Sequence, residues 1–390
     1  MSPATAAAAA VPPVPFAPPN IGPAEIAEVV AALESGWLST GPRVRAFEEA
    51  FARYTGAPFA IALNSCTAAL HLSLLATGVG QGDEVVTTPL TFCATANVIV
   101  HAGAAPVFAD VDAVTMNLDP AAAAAAVTTR TRAIIPVHFA GRPVDVAAFE
   151  QLARRGHLTV IEDAAHCVEG VAADGRKIGA IADFTCFSFY ATKTLTTGEG
   201  GMVTTHDARA AETIRMASLH GMDRNAWSRY APGATPHYDV VMPGFKYNMM
   251  DLQAAIGLHQ LAGIDARLAL RTALCARYEA GLAGLPLRLP APGAAGTVHA
   301  RHLYPVLVDP SADVTRDELH ARLRDRGITA SVHFRALHLH PFYQERFGLR
   351  RGMFPVAEAI SDTTLSLPLS SALSTADVDR VIEAMHDCLR

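Results

Sequence analysis

The sequence predicts an α/β fold, with a large domain around a mostly parallel seven-stranded sheet and a smaller C-terminal α+β domain. Three observations carry this. Short runs rich in Val, Ile or Phe alternate with helix-like stretches from Asn20 to Thr205, and strand–helix alternation implies right-handed crossovers and parallel pairing. Apolar residues make up 51% of 390 positions against 17% charged, which is material for a large core. From Leu287 the alternation stops, and a single strand signal is followed by separate helices.

Met1 to Pro19 is an Ala/Pro tract without the basic and apolar regions of a signal peptide, so residues 1–19 read as a disordered leader with no role in the fold. The strand candidates are Phe59–Leu63, Glu84–Thr87, Pro106–Asp110, Ala133–Val137, Leu158–Glu162, Phe184–Phe189 and Gly201–Thr205, bounded by Gly, Pro or Asp turn signals. Helices are predicted over Thr67–Ala76, Phe92–His101 and Val146–Arg155. The last two strands are joined by a long irregular stretch, which leaves room for one of them to run antiparallel. From Met250 to about Leu285 the spacing of Leu252, Ile256, Leu258, Leu261, Ile264 and Leu268 predicts one long helix, leading from a large domain over 20–260 into a small one over 261–390. The small domain holds a strand near Tyr304–Val308, a helix over Asp317–Arg326, and a last helix over Thr375–Cys388 capped by Ser374 or Thr375.

Charge and cysteine usage narrow the function. Thirty-one basic and 37 acidic residues give a formal charge of −6, which offers no general attraction for nucleic acid or anionic lipid. No apolar run reaches the ~18 residues of a membrane span. The six cysteines are scattered, without a C-x-x-C pair. A cytoplasmic protein that binds neither nucleic acid nor membrane is the expectation.

The stretch Val160-Ile-Glu-Asp-Ala-Ala-His166 ends an apolar strand on Asp163, and open α/β sheets bind ligands at the carboxyl ends of their strands. Cys186-Phe-Ser-Phe-Tyr-Ala-Thr-Lys193 delivers Ser188 and Lys193 to a second strand end. Alone, Lys193 reads as a solvated surface lysine and Asp163 as a helix N-cap. Together, a carboxylate, a hydroxyl and a lysine are what pyridoxal 5'-phosphate needs. The amine bonds the cofactor aldehyde. The carboxylate keeps the ring nitrogen protonated, through a charge-assisted hydrogen bond worth roughly 1.5–3 kcal/mol. Asn64-Ser-Cys-Thr-Ala-Ala-Leu70 opens a helix directly after the first strand, so its free N–H groups form a phosphate cradle to which Thr67 and Ser188 can add hydroxyls. Phe92, closing Thr88-Pro-Leu-Thr-Phe92, is an aromatic able to stack on a planar ring.

With Pro136-Val-His-Phe-Ala-Gly141 and Gly198-Glu-Gly-Gly201, these motifs resemble the DegT/DnrJ/EryC1/StrS family of pyridoxal-phosphate sugar aminotransferases over nearly the whole chain from Asn20. The resemblance implies a fold type I enzyme with pyridoxal 5'-phosphate as cofactor. It implies Lys193 as Schiff-base lysine and Asp163 as partner of the pyridine nitrogen. It puts Phe92 over the ring, the Cys66 and Thr67 amides and the Ser188 hydroxyl on the phosphate, and His166 near the phenolic oxygen, where many members carry Gln. Gly244-Phe-Lys-Tyr-Asn248 resembles the segment that crosses to the partner's phosphate, which implies a homodimer with a shared active site and with Lys246 or Asn248 acting in trans. Gly36-Trp-Leu-Ser-Thr-Gly-Pro42 and His220-Gly-Met222 lean toward the branch that aminates C4 of a nucleotide-linked 4-keto-6-deoxy sugar, with an amino acid such as L-glutamate as donor. Two alternatives are a cyclitol (keto-inositol) aminotransferase of aminoglycoside biosynthesis and a non-catalytic cofactor-binding regulator. A sugar dehydratase on the same scaffold carries His where Lys193 stands.

Tyr190, His333 and His338 are candidates to line the sugar pocket, and Arg142, Arg229, Arg301 and Arg335 to meet a diphosphate or a donor carboxylate. His333, His338 and His340 lack helical i, i+4 spacing and a nearby carboxylate pair, so no metal site is expected.

Overall fold

The computed structural model describes residues 12–223 and 237–389. Strands β1 (Phe59–Leu63), β2 (Glu84–Thr87), β3 (Ala105–Phe108), β4 (Thr131–Ile135), β5 (Thr159–Asp163), β6 (Phe184–Ser188) and β7 (Gly201–Thr205) form one sheet in the order β1-β7-β6-β5-β4-β2-β3. β7 runs antiparallel to both β1 and β6; the remaining pairs are parallel. The register brings the functional positions to one edge. Gly201 lies opposite Leu63 on one side and Ser188 on the other, and Asp163 lies opposite Cys186. The carboxyl ends of β1, β5 and β6 therefore share an edge with the start of β7.

Helices α1 (Pro23–Glu34) and α2 (Pro42–Thr55) precede the sheet, while α3 (Cys66–Ala76) follows β1 and α4 (Cys93–His101) follows β2. β6 and β7 are buried along their whole length, as expected of strands with helices on both faces. Phe51 of α2 packs edge-on against Phe187 with ring centroids 5.0 Å apart, and Phe47 lies 5.4 Å from Phe189. Each such buried ring contributes about 1.5–3 kcal/mol. The cluster anchors β6 and the turn that follows it, so Ser188 and Lys193 are carried on a fixed support. The small unit packs helices Ile264–Gly281, Arg316–Asp325 and Thr375–Cys388 around a three-stranded sheet of Leu287–Arg288, Tyr304–Val308 and Thr364–Leu367.

Two expectations are corrected. The single long helix is two, Asp251–Ala262 and Ile264–Gly281. Gly263 between them adopts φ −100°, ψ 8° and caps both, and Asp265 restarts the second with an acidic first turn. The Ala/Pro leader also enters the fold before Pro19. Val14 is fully buried, its N–H donates to Gly327 O at 2.8 Å, and its carbonyl accepts from Thr329 N at 3.0 Å. The carbonyls of Phe16 and Pro18 accept from Leu369 N and Ser370 Oγ at 3.0 and 2.6 Å, and that of Asn20 accepts from Gln260 Nε2 at 2.9 Å. Prolines lack the N–H that an extended strand would leave unpaired, so this composition suits a ribbon bonded along one side.

Candidate active site

A cavity of about 610 Å³ opens over the shared sheet edge. Its floor comes from the end of the seven-stranded sheet, with Ser65, Cys66 and Thr67 at the start of α3, Asp163 closing β5 and His166 after it, and Ser188 closing β6 with Tyr190 and Lys193 after it. Its roof comes from the N-terminal ribbon and from segments beyond residue 300, through Phe16, His302, Leu303, His333 and Phe334. Phe92 stands between them, 60% exposed although it is a large aromatic.

The α3 end of the floor follows from a local rule. Ser65 caps the helix by accepting from Ala68 N at 3.1 Å, and the N–H groups of Cys66 and Thr67 precede the first intrahelical acceptor. A Cβ on Gly201 would lie 2.5 Å from Cys66 N, so only glycine lets β7 press against this helix start. A Cβ on Gly200, which also lines the cavity, would meet Thr197 Oγ1 at 2.2 Å.

Asp163 is buried and held on both oxygens: Thr95 Oγ1 donates to Oδ2 at 2.8 Å and Ala165 N donates to Oδ1 at 3.1 Å. Thr95 in turn shares a hydroxyl contact of 2.9 Å with Thr91. Burial pushes the Asp163 carboxyl up; Thr95, Ala165 and the Lys193 charge oppose that rise. Lys193 sits in a loop closed by Lys193 N donating to Tyr190 O and Thr197 N to Phe189 O, both at 2.9 Å. Burial lowers its amine from 10.5 to about 8, against the upward pull of Asp163. The chain has only three lysines, Lys177, Lys193 and Lys246, and Lys193 alone lines this cavity.

His166 is buried with its ring centroid 4.5 Å from that of His302, and its Nδ1 has no hydrogen-bond partner among the described residues. Burial first, and then the Lys193 charge, keeps both imidazoles well below their usual range, so both are neutral near pH 7. His333 is lowered to about 4 for the same reasons, and its Nδ1 lies 2.9 Å from Ser366 Oγ.

Three predicted residues lie elsewhere. His338 is fully buried in the small unit, with Nε2 2.9 Å from Glu358 Oε1; it does not line the cavity, because the short 3₁₀ turn at Leu337–Leu339 directs it inward. Lys246 is exposed outside this chain's cavity. Asn248 donates from Nδ2 to Thr40 Oγ1 at 2.7 Å, and its Oδ1 is buried without a partner among the described residues. The arginines are also engaged away from the cavity. Arg142 donates to Pro292 O at 2.8 Å, Arg301 lies 3.5 Å from Glu279, and Arg335 donates to Leu339 O at 2.8 Å. Arg229 lies outside the described residues. Among the described residues no group of His, Cys, Asp and Glu is arranged to hold a metal, all six cysteines are free, and no helix is long and apolar enough to cross a membrane.

Sequence reasoning missed Phe16, Thr95, His302 and Phe334. Only Thr95 left a signal, as the second hydroxyl of the i, i+4 pair Thr91/Thr95. The scarcity of lysine was a further signal, since it leaves few candidates for any amine chemistry.

A buried carboxylate held for a cation, a depressed amine, a helix start without acceptors and a neutral histidine with an unpartnered nitrogen together suit pyridoxal 5'-phosphate. The fold and site define a pyridoxal-phosphate-dependent enzyme. The model of the DegT/DnrJ/EryC1/StrS aminotransferase family matches residues 19–386, and the chain belongs to that family. It is 50% identical over 380 residues to the spore coat polysaccharide biosynthesis protein SpsC of Bacillus subtilis, covering 97% of each chain. Among solved structures it is similar to Spr1654 of Streptococcus pneumoniae in its pyridoxamine-phosphate form (34% identity, TM-score 0.90, covering 96% of this chain and 97% of that one). The pyridoxal-phosphate form of that protein matches with TM-score 0.89 at 33% identity, covering 97% of this chain and 100% of that one. The sugar aminotransferase CalS13 from Micromonospora echinospora is 30% identical with TM-score 0.85, over 96% of this chain and 99% of that one. The protein is thus a sugar aminotransferase, and its cofactor is pyridoxal 5'-phosphate.

Proposed function

We propose that this aminotransferase moves an amino group from L-glutamate to C4 of a nucleotide-linked 4-keto-6-deoxy sugar. It works as a homodimer in which Lys246 or Asn248 reaches the partner's cofactor phosphate. The observation that carries the reading is the meeting of Lys193 and Asp163 at one end of the sheet beneath a roof of Phe16, His302, His333 and Phe334. The exposed Lys246, outside its own chain's cavity, supports the contribution in trans.

When bound, the cofactor supplies a carbonyl that carries nitrogen and a protonated ring that accepts electron density. The remaining work falls to the chain. The Cys66 and Thr67 amides and the Ser188 hydroxyl bind the phosphate at the positive end of α3. Asp163, fixed by Thr95 and Ala165, keeps the ring-nitrogen proton in place. Phe92 would lie against the ring, and His166, neutral, would offer a hydrogen bond to the phenolic oxygen. Lys193 holds the cofactor in the resting enzyme. Its free Nζ would carry the proton between the donor's α-carbon and the cofactor's aldehyde carbon and, in the second half, from that carbon to the sugar's C4. An amine poised near pH 8 does both within reach of neutral pH.

Mass spectrometry of products from a panel of keto sugars, with glutamate carrying isotopically labelled nitrogen, tests this. The label is expected at C4 of a nucleotide sugar. Its appearance at C3, or on a keto-inositol alone, would replace the reading.

A further inference from the structure

The roof of the cavity differs from its floor in chemistry as well as origin. The rings of Phe16 and His333 stack with centroids 5.5 Å apart and planes at 23°. His333 meets Phe334 edge to face at 4.9 Å, and Phe334 lies 6.3 Å from Phe92. All four line the cavity, with Leu303 beside them, so one side is a continuous aromatic wall. His333 carries no charge there at neutral pH, and its Nδ1 is engaged with Ser366.

The wall is fixed in place from outside the site. The segment bearing Phe16 is hydrogen-bonded to Gly327, Thr329, Leu369 and Ser370 of the small unit and to Gln260 of the helix below it. Val14, two residues earlier, is fully buried. A half-buried phenylalanine held this firmly, with its ring turned to the cavity, is a built surface.

We infer that Phe16, backed by His333 and Phe334, is the specificity-determining wall of the acceptor pocket, and that it recognises the deoxygenated carbon of the keto sugar. This rests on the acceptor reading above. A methyl group on such a wall gains contact and sheds water. A hydroxymethyl group in the same place gives up its hydrogen bonds to water and finds no partner on the ring faces. An apolar wall of this kind discriminates by about 10- to 100-fold.

The test is calorimetric binding of two nucleotide-linked 4-keto hexoses, one 6-deoxy and one with the 6-hydroxyl, to holoenzyme in its pyridoxal form, which has no amino group to transfer. The wild type is expected to favour the 6-deoxy sugar by about tenfold or more. Phe16→Ala should bring the ratio of the two affinities toward one, and Phe16→Leu should keep most of it. Phe16→Tyr retains the stacked ring and adds a hydroxyl, so it should strengthen binding of the 6-hydroxy sugar; it serves if Phe16→Ala fails to fold. Variants that weaken both sugars by one factor, or that slow the glutamate half-reaction in parallel, would reduce Phe16 to a structural role. If the wild type binds both sugars equally, the wall is refuted while the acceptor reading stands. If it binds neither, the acceptor reading fails and takes the wall with it.

Discussion

Floor and roof of the cavity are built by different rules. The floor residues lie at strand ends of the large sheet or within a few positions of them, so their place is dictated by local sequence once the strand order is set: Ser65 after β1, Asp163 and His166 at and after β5, Ser188 and Lys193 at and after β6. The roof is assembled from Phe16, the 302–303 pair and the 331–334 stretch, which meet only through tertiary packing. The floor is polar and suits a cofactor; the roof is aromatic and neutral and suits what changes between the two halves of the reaction. The groups for chemistry are held by short segments on rigid strands, and the wall to which we assign selectivity by segments that arrive from far along the chain.

Lys193→Ala attacks the floor and is expected to have the largest effect. Turnover should fall by at least about a thousandfold while the melting temperature stays near wild type and the visible absorbance of bound cofactor disappears. Near-normal rates would remove Lys193 from the mechanism. Asp163→Asn keeps the shape and removes the charge, and should cost about 10²–10³ in turnover with cofactor still bound.

A subtler test concerns the amine itself. In cofactor-free protein, acetylation of Lys193 followed by peptide mass spectrometry should rise with pH through a half-point about 8, since burial makes the cation costly. An ordinary exposed lysine would need a pH near 10.4. The Asp163 carboxylate stabilises that cation, so Asp163→Asn should move the half-point further down. A half-point near 10 in the wild type would show that the amine is solvated.

The smallest effect on activity is expected behind the roof. Glu358→Ala strips the partner from the buried His338 Nε2 and also frees the Gly352 and Phe354 N–H groups. It should cost about 1–3 kcal/mol of stability, read by denaturant unfolding, yet leave kcat per folded molecule unchanged. A fall in kcat at full folding would return His338 to the site.

The same division explains what could be read in advance. β1, β2 and β7 fall on their predicted residues, and the floor was legible because turn signals and strand ends carry its geometry. Gly263 was visible, but the apolar spacing runs on through it and disguised a junction as one helix. His338 was grouped with His333 by proximity in sequence, which says nothing about the turn that separates their directions. Phe16 was hidden by composition: a Pro-rich tract looks unstructured until the edge that pairs with it is known, and that edge lies near Ile328 and Leu369.

The ribbon that carries Phe16 also sets the order in which the molecule can be finished. Asn20 bonds to Ser371, 351 positions later, so the ribbon has its place to settle only once the segment around Ser371 has been made. The sheet edge can form long before that. The floor residues, from Ser65 to Lys193, are all synthesised before Ser371, so the groups for the chemistry exist in the growing chain before the contacts that seat Phe16 can be made.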